Sequence, residues 1–385
     1  MEYINKIIEG DSLKILPKIP DKIIQACITS PPYWGLRDYG TATWEGGNPD
    51  CKHIDEVALA ERLRQKKSMI RVGERCDGST RTRVHDETIG KGIQHKERCD
   101  KCGATRKDSQ LGLEKTPEEY VEKMVAVFRE VRRVLKDDGT LWLNLGDSYA
   151  GGGFCGSDKA LSGKQGTNRG SSNMVGKALA HNLKPKDLVG IPWRVAFALQ
   201  SDGWYLRQDV IWSKPNPMPE SVTDRCTKAH EYLFLLSKSQ KYFYNAEVIK
   251  EDSTKHPADW NGDGTQKRKS HIRGEFKGKN TEAGKEAFRK ISDKRNRRSV
   301  WTIPTQPFPE AHFAVMPEKL VEPCVLAGSR EGDIVLDPFC GAGTVPYVAK
   351  EFQRQYIGIE LNNEYIKIAE KRLAQKTLDL TNQFD

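Results

Sequence analysis

Four consecutive residues near the start of the chain, Ser30-Pro31-Pro32-Tyr33, combine hydrogen-bond acceptors with an aromatic ring. Each proline fixes its own φ angle and lacks an N–H, so the carbonyl oxygens of Ser30 and Pro31 meet no competing donor beside them. A corner of this kind at the end of a strand would accept hydrogen bonds from the exocyclic amino group of a flat ligand. The alternative interpretation is an ordinary turn in which an aromatic ring packs on proline.

A glycine-rich motif near the other end of the chain, Asp-Pro-Phe-Cys-Gly-Ala-Gly-Thr at residues 337–344, follows a predicted buried strand and begins a predicted helix. In a doubly wound sheet, a nucleotide-like ligand binds at this position. Glu360 ends the next predicted strand, where a carboxylate accepts the hydroxyls of a ribose. A turn with a structural role is the alternative, but strand, helix and acid together favour a nucleoside ligand.

Two short pairs of metal-binding residue types lie in a polar segment, Cys51 with His53 and Cys99 with Cys102. Each pair has the spacing of one half of a tetrahedral zinc site, so we predict a structural zinc ion that fastens this segment. The nearby residues that could replace one ligand are Cys76, His85 and His95. The alternative is a polar loop without metal. The chain has nine cysteines, an odd number that favours reduced thiols over disulfides.

The elements that must position these residues alternate between strands and helices. Strands are predicted at 4–10, 22–29, 140–145, 205–213, 231–237, 334–336 and 356–360. Helices are predicted from Thr116 to the turn at 137–139, and at 186–201, 317–327, 344–351 and 363–375. This alternation predicts an α/β fold with an open, mostly parallel sheet that helices cover on both faces.

The positive charge of the chain is concentrated in one segment. Lys and Arg number 62 against 53 Asp and Glu, a net charge of +9. Residues 267–298 contain thirteen basic and four acidic residues, an excess equal to that of the whole chain. Such a segment is either a solvated loop or a nucleic-acid-binding surface, and basic loops often order on a phosphate backbone. Because the apolar runs are too short to span a membrane, we expect a soluble, cytoplasmic protein.

The two motifs together make the chain resemble the amino-group DNA methyltransferases, in the circularly permuted order of the beta class. Ser-Pro-Pro-Tyr resembles the catalytic motif of that family, and Asp-Pro-Phe-x-Gly-x-Gly-Thr resembles its S-adenosylmethionine-binding motif. Gly10-Asp11 and the segments 299–313 and 316–320 add to the resemblance. The segment 40–110 and the loops lie outside it.

The resemblance implies a Rossmann-like, doubly wound methyltransferase fold with a zinc-binding insertion and a basic target-recognition insertion. The corresponding division of the chain is 1–39 for the catalytic half of the core, 40–112 for the zinc-binding insertion, 113–249 for further core with a mobile loop at 151–184, 250–298 for target recognition and 299–385 for the cofactor-binding half.

The resemblance also implies the reaction, which is transfer of a methyl group from S-adenosylmethionine to an amino group of a base flipped out of double-stranded DNA. Serine at the first motif position resembles the N4-cytosine enzymes, whereas aspartate is commoner in the N6-adenine enzymes, so we favour cytosine over adenine. Double-stranded DNA is the implied partner, and a cognate restriction endonuclease is a further partner if the protein belongs to a restriction–modification pair.

By the resemblance, Ser30 and the Pro31 carbonyl accept hydrogen bonds from the target amino group, and Tyr33 stacks on the base with help from Trp34. The catalytic residues are Ser30, Pro31, Pro32 and Tyr33. The cofactor-binding residues are Asp11, Phe313, Lys319, Asp337, Pro338, Phe339, Gly341, Gly343, Thr344 and Glu360. The DNA-binding residues are Lys267, Arg268, Lys269 and Arg273.

Other residues and other functions were weighed against this interpretation. We expect Asn144 and Asp147 to face the ligand crevice. Core packing, rather than base stacking, is expected of Trp142, Trp193, Trp204 and Trp212. The more remote alternatives are an RNA or protein-glutamine methyltransferase, which resembles the unpermuted motif order, and a zinc-finger DNA-binding protein without catalysis.

Overall fold

The computed structural model describes residues 2–35, 41–48, 50–51, 72–74, 80–82, 98–99, 101–150, 183–252, 294–306 and 315–381, and only the backbone at 72–74, 80–82 and 376–381. The strands are β1 Lys6–Glu9, β2 Ile24–Thr29, β3 Thr43–Glu45, β4 Val72–Glu74, β5 Thr80–Thr82, β6 Thr105–Lys107, β7 Leu135–Leu145, β8 Tyr205–Ser213, β9 His230–Ser237, β10 Glu251–Asp252, β11 Lys294–Arg295, β12 Val300–Thr302, β13 Ile334–Asp337 and β14 Gln355–Glu360. The helices are α1 Ser12–Ile15, α2 Pro117–Val134, α3 Ile191–Ser201, α4 Glu318–Gly328, α5 Thr344–Glu351 and α6 Asn363–Thr381, with 3₁₀ turns at Leu16–Lys18 and Glu247–Ile249. None of these described helices has both the length and the apolar character that a membrane span needs.

The architecture is a large sheet with short two-stranded sheets beside it. Within the described residues, eight strands form the large sheet in the order β1-β14-β13-β2-β7-β9-β8-β12. β9 is antiparallel to β7 and β8, and the other neighbouring strands are parallel. The prediction of a mostly parallel α/β sheet is confirmed. The short sheets pair β3 with β6, β4 with β5, and β10 with β11.

Buried apolar side chains cover both faces of the large sheet. Along β13, Ile334 and Leu336 belong to one buried cluster and Val335 to the other, as the alternation of side chains along a strand requires. Residues of α2 and α3 complete the first cluster, whereas residues of α4, α5 and α6 complete the second. The sheet is therefore covered by helices on both sides, as in doubly wound folds.

Helix α2 begins where the sequence predicts. Thr116 accepts a hydrogen bond from the backbone N–H of Glu119 at 3.0 Å, and Pro117 occupies the first turn. These are the favoured residue types at those positions because they satisfy or remove unpaired N–H groups. The buried residues of α2 recur at helical spacing and are Pro117, Tyr120, Met124, Val127, Phe128, Val131 and Val134. This stripe packs α2 against the first face of the sheet.

The predicted boundary between α2 and the next strand is wrong. We expected the turn at 137–139 to separate them, but α2 ends at Val134 and β7 begins at Leu135. The pairing of β7 with β2 shifts register between Leu135 and Thr140. A local irregularity of the ladder therefore accommodates the two aspartates and the glycine within the strand.

The tryptophan side chains pack largely as predicted. Trp142, Trp204 and Trp212 are at most 4% exposed. Trp193 is half-buried, and its ring lies edge-on to that of Phe234 with 5.1 Å between the ring centroids. Core packing is thus confirmed for the three buried tryptophans.

The turn between β13 and α5 depends on Gly343. Gly343 has a φ of +76°, and a Cβ placed on it would lie 2.7 Å from the Cβ of Ala369 in α6. We expect Gly343→Ala to lower the free energy of unfolding by about 3 kcal/mol, because left-handed strain adds to a clash with α6. Gly332 has a φ of +78°, and a Cβ placed on it would have no atom within 4 Å. Gly332→Ala therefore introduces the left-handed backbone strain without a clash. Urea denaturation of both variants measures the difference, and equal losses would show that the contact with Ala369 has no cost.

Candidate active site

The loops that follow β2 and β13 open onto one cavity of about 370 Å³. The two strands are paired in parallel, so both loops leave the same edge of the sheet side by side. The sequence-predicted site residues that line this cavity are Asp11, Ser30, Pro31, Pro32, Tyr33, Asp337, Pro338, Phe339, Gly341, Thr344 and Glu360. The structure thus brings the Ser-Pro-Pro-Tyr motif and the glycine-rich motif together.

Two predicted cofactor-binding residues do not line the cavity, and a third is not described by the structure. Gly343 is not among the residues that line the cavity, and it packs on Ala369. Lys319, in the first turn of α4, does not line the cavity either, whereas Met316 does. Phe313 lies outside the described residues. The cofactor-binding roles of these three residues stay predictions.

Asp337 joins the two motifs through a buried hydrogen bond. The hydroxyl of Thr29, the last residue of β2, donates to Asp337 Oδ1 at 2.6 Å. The backbone N–H of Phe339 donates to the same oxygen at 3.1 Å. Burial raises the pKa of Asp337 to about 7, although both hydrogen bonds favour the charged form. The carboxyl group is therefore held between its neutral and charged forms near neutral pH.

Glu360 organises the glycine-rich loop from the end of β14. Its Oε2 accepts the backbone N–H of Gly341 at 2.7 Å, and its Oε1 accepts that of Asn362 at 2.8 Å. Burial raises the pKa of Glu360, and these backbone donors partly offset that rise. Each carboxylate oxygen has a second lone pair, so Glu360 can still accept hydroxyl groups from a ligand in the cavity.

The N-terminal segment at Gly10, Asp11 and Ser12 also lines the cavity. Asp11 accepts a hydrogen bond from the backbone N–H of Leu13 at 3.0 Å and so caps α1. The Ser12 hydroxyl donates to the Pro338 carbonyl. The backbone N–H of Gly10 donates to the Glu360 carbonyl at 2.9 Å. These contacts place Asp11 beside the glycine-rich loop, and its cofactor-binding role stays a prediction.

The Tyr33 side chain is fixed by its hydroxyl group. That hydroxyl donates to Glu231 Oε2 at 2.6 Å and accepts from Asn144 Nδ2 at 2.8 Å. The Ser30 hydroxyl reaches it at 3.4 Å. The ring lies against Gly146, where a Cβ would come within 2.5 Å of Tyr33 Cε2. Burial, followed by the neighbouring Glu231 carboxylate, raises the pKa of Tyr33 well above its usual value, so the hydroxyl stays protonated.

Sequence reasoning missed two charged residues of the cavity, Lys214 and Glu231. They form an ion pair, and their side chains are 18% and 15% exposed. Lys214 Nζ also lies 4.3 Å from the centroid of the Trp212 ring, which lines the cavity as well. Lys214 follows β8 and Glu231 lies at the start of β9. The sequence predicts both strands but not that β9 runs antiparallel to its neighbours, so it gave no signal that Glu231 reaches the cavity.

Of the two residues expected to face the ligand crevice, Asn144 lies at the cavity and Asp147 does not. Asn144 lines the cavity and is 1% exposed, which agrees with the prediction. Asp147 instead accepts the backbone N–H groups of Gly190 and Ile191 at 3.0 and 3.1 Å. Because Gly190 precedes α3 and has no side chain to cap it, Asp147 supplies the missing acceptor. The prediction for Asp147 is therefore wrong.

Three of the four predicted zinc ligands meet in the insertion. The sulfur atoms of Cys51, Cys99 and Cys102 all lie within 4.8 Å of one another, and those of Cys51 and Cys99 are 3.9 Å apart. A tight turn places the second pair, since the backbone N–H of Gly103 donates to the Cys99 carbonyl at 2.9 Å. His53 lies outside the described residues. The cluster has the donor chemistry of a structural zinc site.

The predicted DNA-binding residues lie outside the described part of the chain and are Lys267, Arg268, Lys269 and Arg273. The same holds for most of the predicted mobile loop, at residues 151–182. Their roles stay predictions.

The raised pKa of Asp337 makes the stability of the ligand-free protein depend on pH. The folded-state pKa is about 7 and the ordinary value is 3.8, so the unfolded chain releases this proton first as the pH rises. The free energy of unfolding should therefore fall between about pH 4 and pH 7, by roughly 4 kcal/mol at most from this residue. Asp337→Asn, which keeps an acceptor for Thr29, should flatten that fall.

Urea denaturation at pH 5 and pH 7 measures the effect. The control is Asp209→Asn, at an exposed position of β8, which should keep the wild-type difference between the two pH values. An undiminished fall in Asp337→Asn would show that Asp337 does not titrate in this range.

Comparison with known proteins agrees with this geometry. The sequence profile of the family described as DNA methylase matches residues 24–371. The chain is 38% identical to type II methyltransferase M.Cfr9I of Citrobacter freundii, over 95% of this chain and 87% of that protein. It is also 38% identical to type II methyltransferase M.SmaI of Serratia marcescens, over 96% of this chain and 91% of that protein.

The fold is also similar to a solved structure, PvuII DNA methyltransferase (cytosine-N4-specific). The TM-score is 0.52 at 15% identity, and the similarity covers 99% of this chain and 94% of that one. This likeness supports the fold. The profile match over most of the chain, together with the two relatives, shows that the protein belongs to the DNA methylase family of amino-group methyltransferases.

Proposed function

We propose that the protein transfers a methyl group from S-adenosylmethionine to the N4 amino group of cytosine at a specific site in double-stranded DNA. The observation that supports this most directly is the shared cavity, onto which the Ser30–Tyr33 loop and the glycine-rich loop both open. Family membership favours this function over a zinc-finger protein without catalysis.

The cavity has the size and polar groups that a nucleoside cofactor needs. Its volume, about 370 Å³, lies in the range of small-molecule sites. Asp11, Gly341 and Glu360 would hold the cofactor, with Glu360 accepting ribose hydroxyls. S-adenosylmethionine, when bound, supplies an electrophilic methyl group. The protein therefore needs to contribute positioning and acceptors rather than a covalent intermediate.

The proposed hydrogen-bond acceptors for the target amine belong to the Ser30–Tyr33 loop. Ser30 Oγ and the Pro31 carbonyl would accept the two N–H groups of the target amine, which leaves the nitrogen lone pair directed at the methyl donor. The nitrogen–carbon bond forms as the carbon–sulfur bond breaks, and the nitrogen then releases one proton. An amino group inside a duplex cannot reach these acceptors, so the base must be flipped into the cavity.

The Tyr33 ring would stack on one face of the flipped base. Its ring is held on one side by Gly146 and at the hydroxyl by Glu231 and Asn144. These contacts fix the angle at which the ring would stack on the base. Pro32 is also held in place, because the Tyr120 hydroxyl donates a hydrogen bond to its carbonyl oxygen at 2.9 Å.

The choice of cytosine rests on Ser30. In the family that this chain resembles, serine at the first motif position is typical of N4-cytosine enzymes. Methylation of adenine at N6 is the alternative, since both reactions place an exocyclic amine on the same acceptors. Recognition of the DNA sequence would come from the basic segment, with Lys267, Arg268, Lys269 and Arg273 as the proposed contacts.

Incubation of the protein with mixed DNA and labelled S-adenosylmethionine, followed by nucleoside analysis, tests the proposal. The expected product is labelled N4-methylcytosine. Labelled N6-methyladenine would overturn the choice of cytosine and keep the methyltransferase function. Labelling of neither nucleoside would overturn both.

A variant of Ser30 tests the catalytic assignment in the same assay. Ser30→Ala should lower kcat by at least about 100-fold, because one acceptor of the target amine is lost, and should leave the affinity for S-adenosylmethionine unchanged. The control is Ser201→Ala, at an exposed serine that ends α3, which should have wild-type activity. Full activity of Ser30→Ala would contradict the assignment.

We also propose that Cys51, Cys99 and Cys102 bind a zinc ion, with His53 as the fourth ligand that the sequence predicts. Zinc–sulfur bonds of the usual length in a tetrahedral site place two sulfur atoms about 3.8 Å apart. The distance of 3.9 Å between Cys51 and Cys99 agrees with that value.

Elemental analysis of the purified protein tests the metal site. One zinc ion per chain is expected, and Cys99→Ser should reduce the content strongly. Cys226→Ser, at an exposed cysteine outside the cluster, should retain the metal. Wild-type protein without zinc, purified without chelators, would overturn the site.

A further inference from the structure

The cysteine cluster lies at one end of a hairpin whose other end reaches the active-site cavity. The hairpin consists of β3 and β6, with Thr43 opposite Lys107 and Glu45 opposite Thr105. Cys51 follows β3, and Cys102 precedes β6, so the thiols share the far end. Thr41 precedes β3 and residues 109–111 follow β6, and these residues line the cavity.

A single carboxylate fastens the cavity end of the hairpin. Asp108 Oδ1 accepts the Thr41 hydroxyl at 3.1 Å and the backbone N–H of Gln110 at 3.1 Å. Arg106 pairs with the other carboxylate oxygen at 3.2 Å. Asp108 therefore holds both strands together where they become the wall of the cavity.

This wall contacts the catalytic loop directly. The backbone N–H of Gly35 donates to the Gly112 carbonyl at 2.9 Å, and Trp34 Nε1 donates to the Glu114 carbonyl at 3.1 Å. Gly112 has a φ of +92°, and a Cβ on it would lie 2.8 Å from the Tyr33 carbonyl oxygen. The segment 112–114 thus packs on the loop that holds the proposed base acceptors.

The two strands of the hairpin are short. Each has three residues, and an isolated two-stranded unit of that length is marginally stable at best in water. A metal or another cross-link stabilises small units of this kind. The cysteine cluster can supply such a cross-link at one end, and Asp108 fastens the other end.

We propose that zinc bound by Cys51, Cys99 and Cys102 acts as a positioning element for methyl transfer, by holding the wall at 108–112 against the Ser30–Tyr33 loop. The inference rests on the proposed function and on the proposed zinc site. The metal takes no part in the chemistry, and its effect reaches the target base through the hairpin.

The cofactor half of the cavity has its own supports. Asp337 bonds to Thr29 and Phe339, and Glu360 bonds to Gly341 and Asn362. These partners belong to the large sheet and to the glycine-rich loop. Loss of the metal should therefore impair base positioning and leave the affinity for S-adenosylmethionine unchanged.

Removal of the metal from the full-length protein by a chelator tests whether the metal affects base positioning but not cofactor binding. Metal-free protein should show a kcat about 100-fold lower and a higher KM for DNA, because misplacement of reacting groups by about 1 Å has that effect. Its dissociation constant for S-adenosylmethionine should not change, and added Zn²⁺ or Co²⁺ should restore kcat. Unchanged kcat and KM in verified metal-free protein would overturn the proposal.

Variants of Asp108 test whether the hairpin positions the wall at 108–112, and they leave the three cysteines unchanged. Asp108→Ala removes the acceptor that Thr41 and Gln110 share, and should lower kcat about tenfold while zinc content and cofactor affinity stay at wild-type values. Asp108→Asn keeps one acceptor oxygen and should recover most of the activity. The matched control is Glu45→Gln, which breaks an exposed ion pair with Lys107 in the same hairpin and should change nothing.

The outcomes distinguish failure of this inference from failure of the proposed zinc site or of the proposed function. Wild-type protein without zinc would refute the metal site, and zinc-loaded protein that methylates no DNA would refute the function. Wild-type kcat in Asp108→Ala would refute the positioning role. Loss of cofactor binding together with kcat on metal removal would also refute it, because the metal would then support the fold as a whole.

Discussion

The parallel pairing of β2 with β13 is the constraint on which the site depends. It joins residues 308 positions apart in the chain through a buried hydrogen bond of 2.6 Å between Thr29 and Asp337. The Ser30–Tyr33 loop begins at the residue after Thr29, and the glycine-rich loop begins at Asp337 itself. A shift in the register of this pairing would move Thr29 away from Asp337 and separate the two loops. The pairing brings the two motifs together, so their distance in the sequence has no bearing on their proximity in space.

A second constraint fixes the orientation of Tyr33. Its hydroxyl is bonded to Asn144 on β7 and to Glu231 on β9, and Lys214 after β8 balances the charge of Glu231. Burial of a carboxylate is costly unless it is paired and hydrogen-bonded, and Glu231 has both kinds of partner. Three neighbouring strands thus set the angle of one aromatic ring. The orientation of the ring is therefore set by the sheet before any ligand binds.

Sequence reasoning succeeded where residues follow strands that run in the common direction. Ser30, Asp337 and Glu360 each lie at the carboxyl end of a parallel strand, and a parallel sheet brings such ends to one edge. Glu231 was missed because β9 runs antiparallel, so that its beginning, not its end, reaches that edge. The direction of one strand is a tertiary property that local patterns do not encode. Asp147 was misassigned for a related reason, because the uncapped N-terminus of α3 is adjacent to it only in the folded chain.

The segment 36–111, which contains most of the insertion that we predict at 40–112, leaves the described fold and rejoins it beside Tyr33. The entropy of closing a flexible loop grows only with the logarithm of its length, so the size of the insertion matters less than how its two ends are held. Here the ends are joined by the hydrogen bond from Gly35 to Gly112, directly beside Tyr33. The chain then returns through Glu114 into α2, whose Tyr120 hydroxyl bonds to the Pro32 carbonyl. The Ser30–Tyr33 loop is therefore held by β2 on one side and by the returning chain on the other. A distortion of the chain near Gly112 would act on the residues that we propose as acceptors of the target amine.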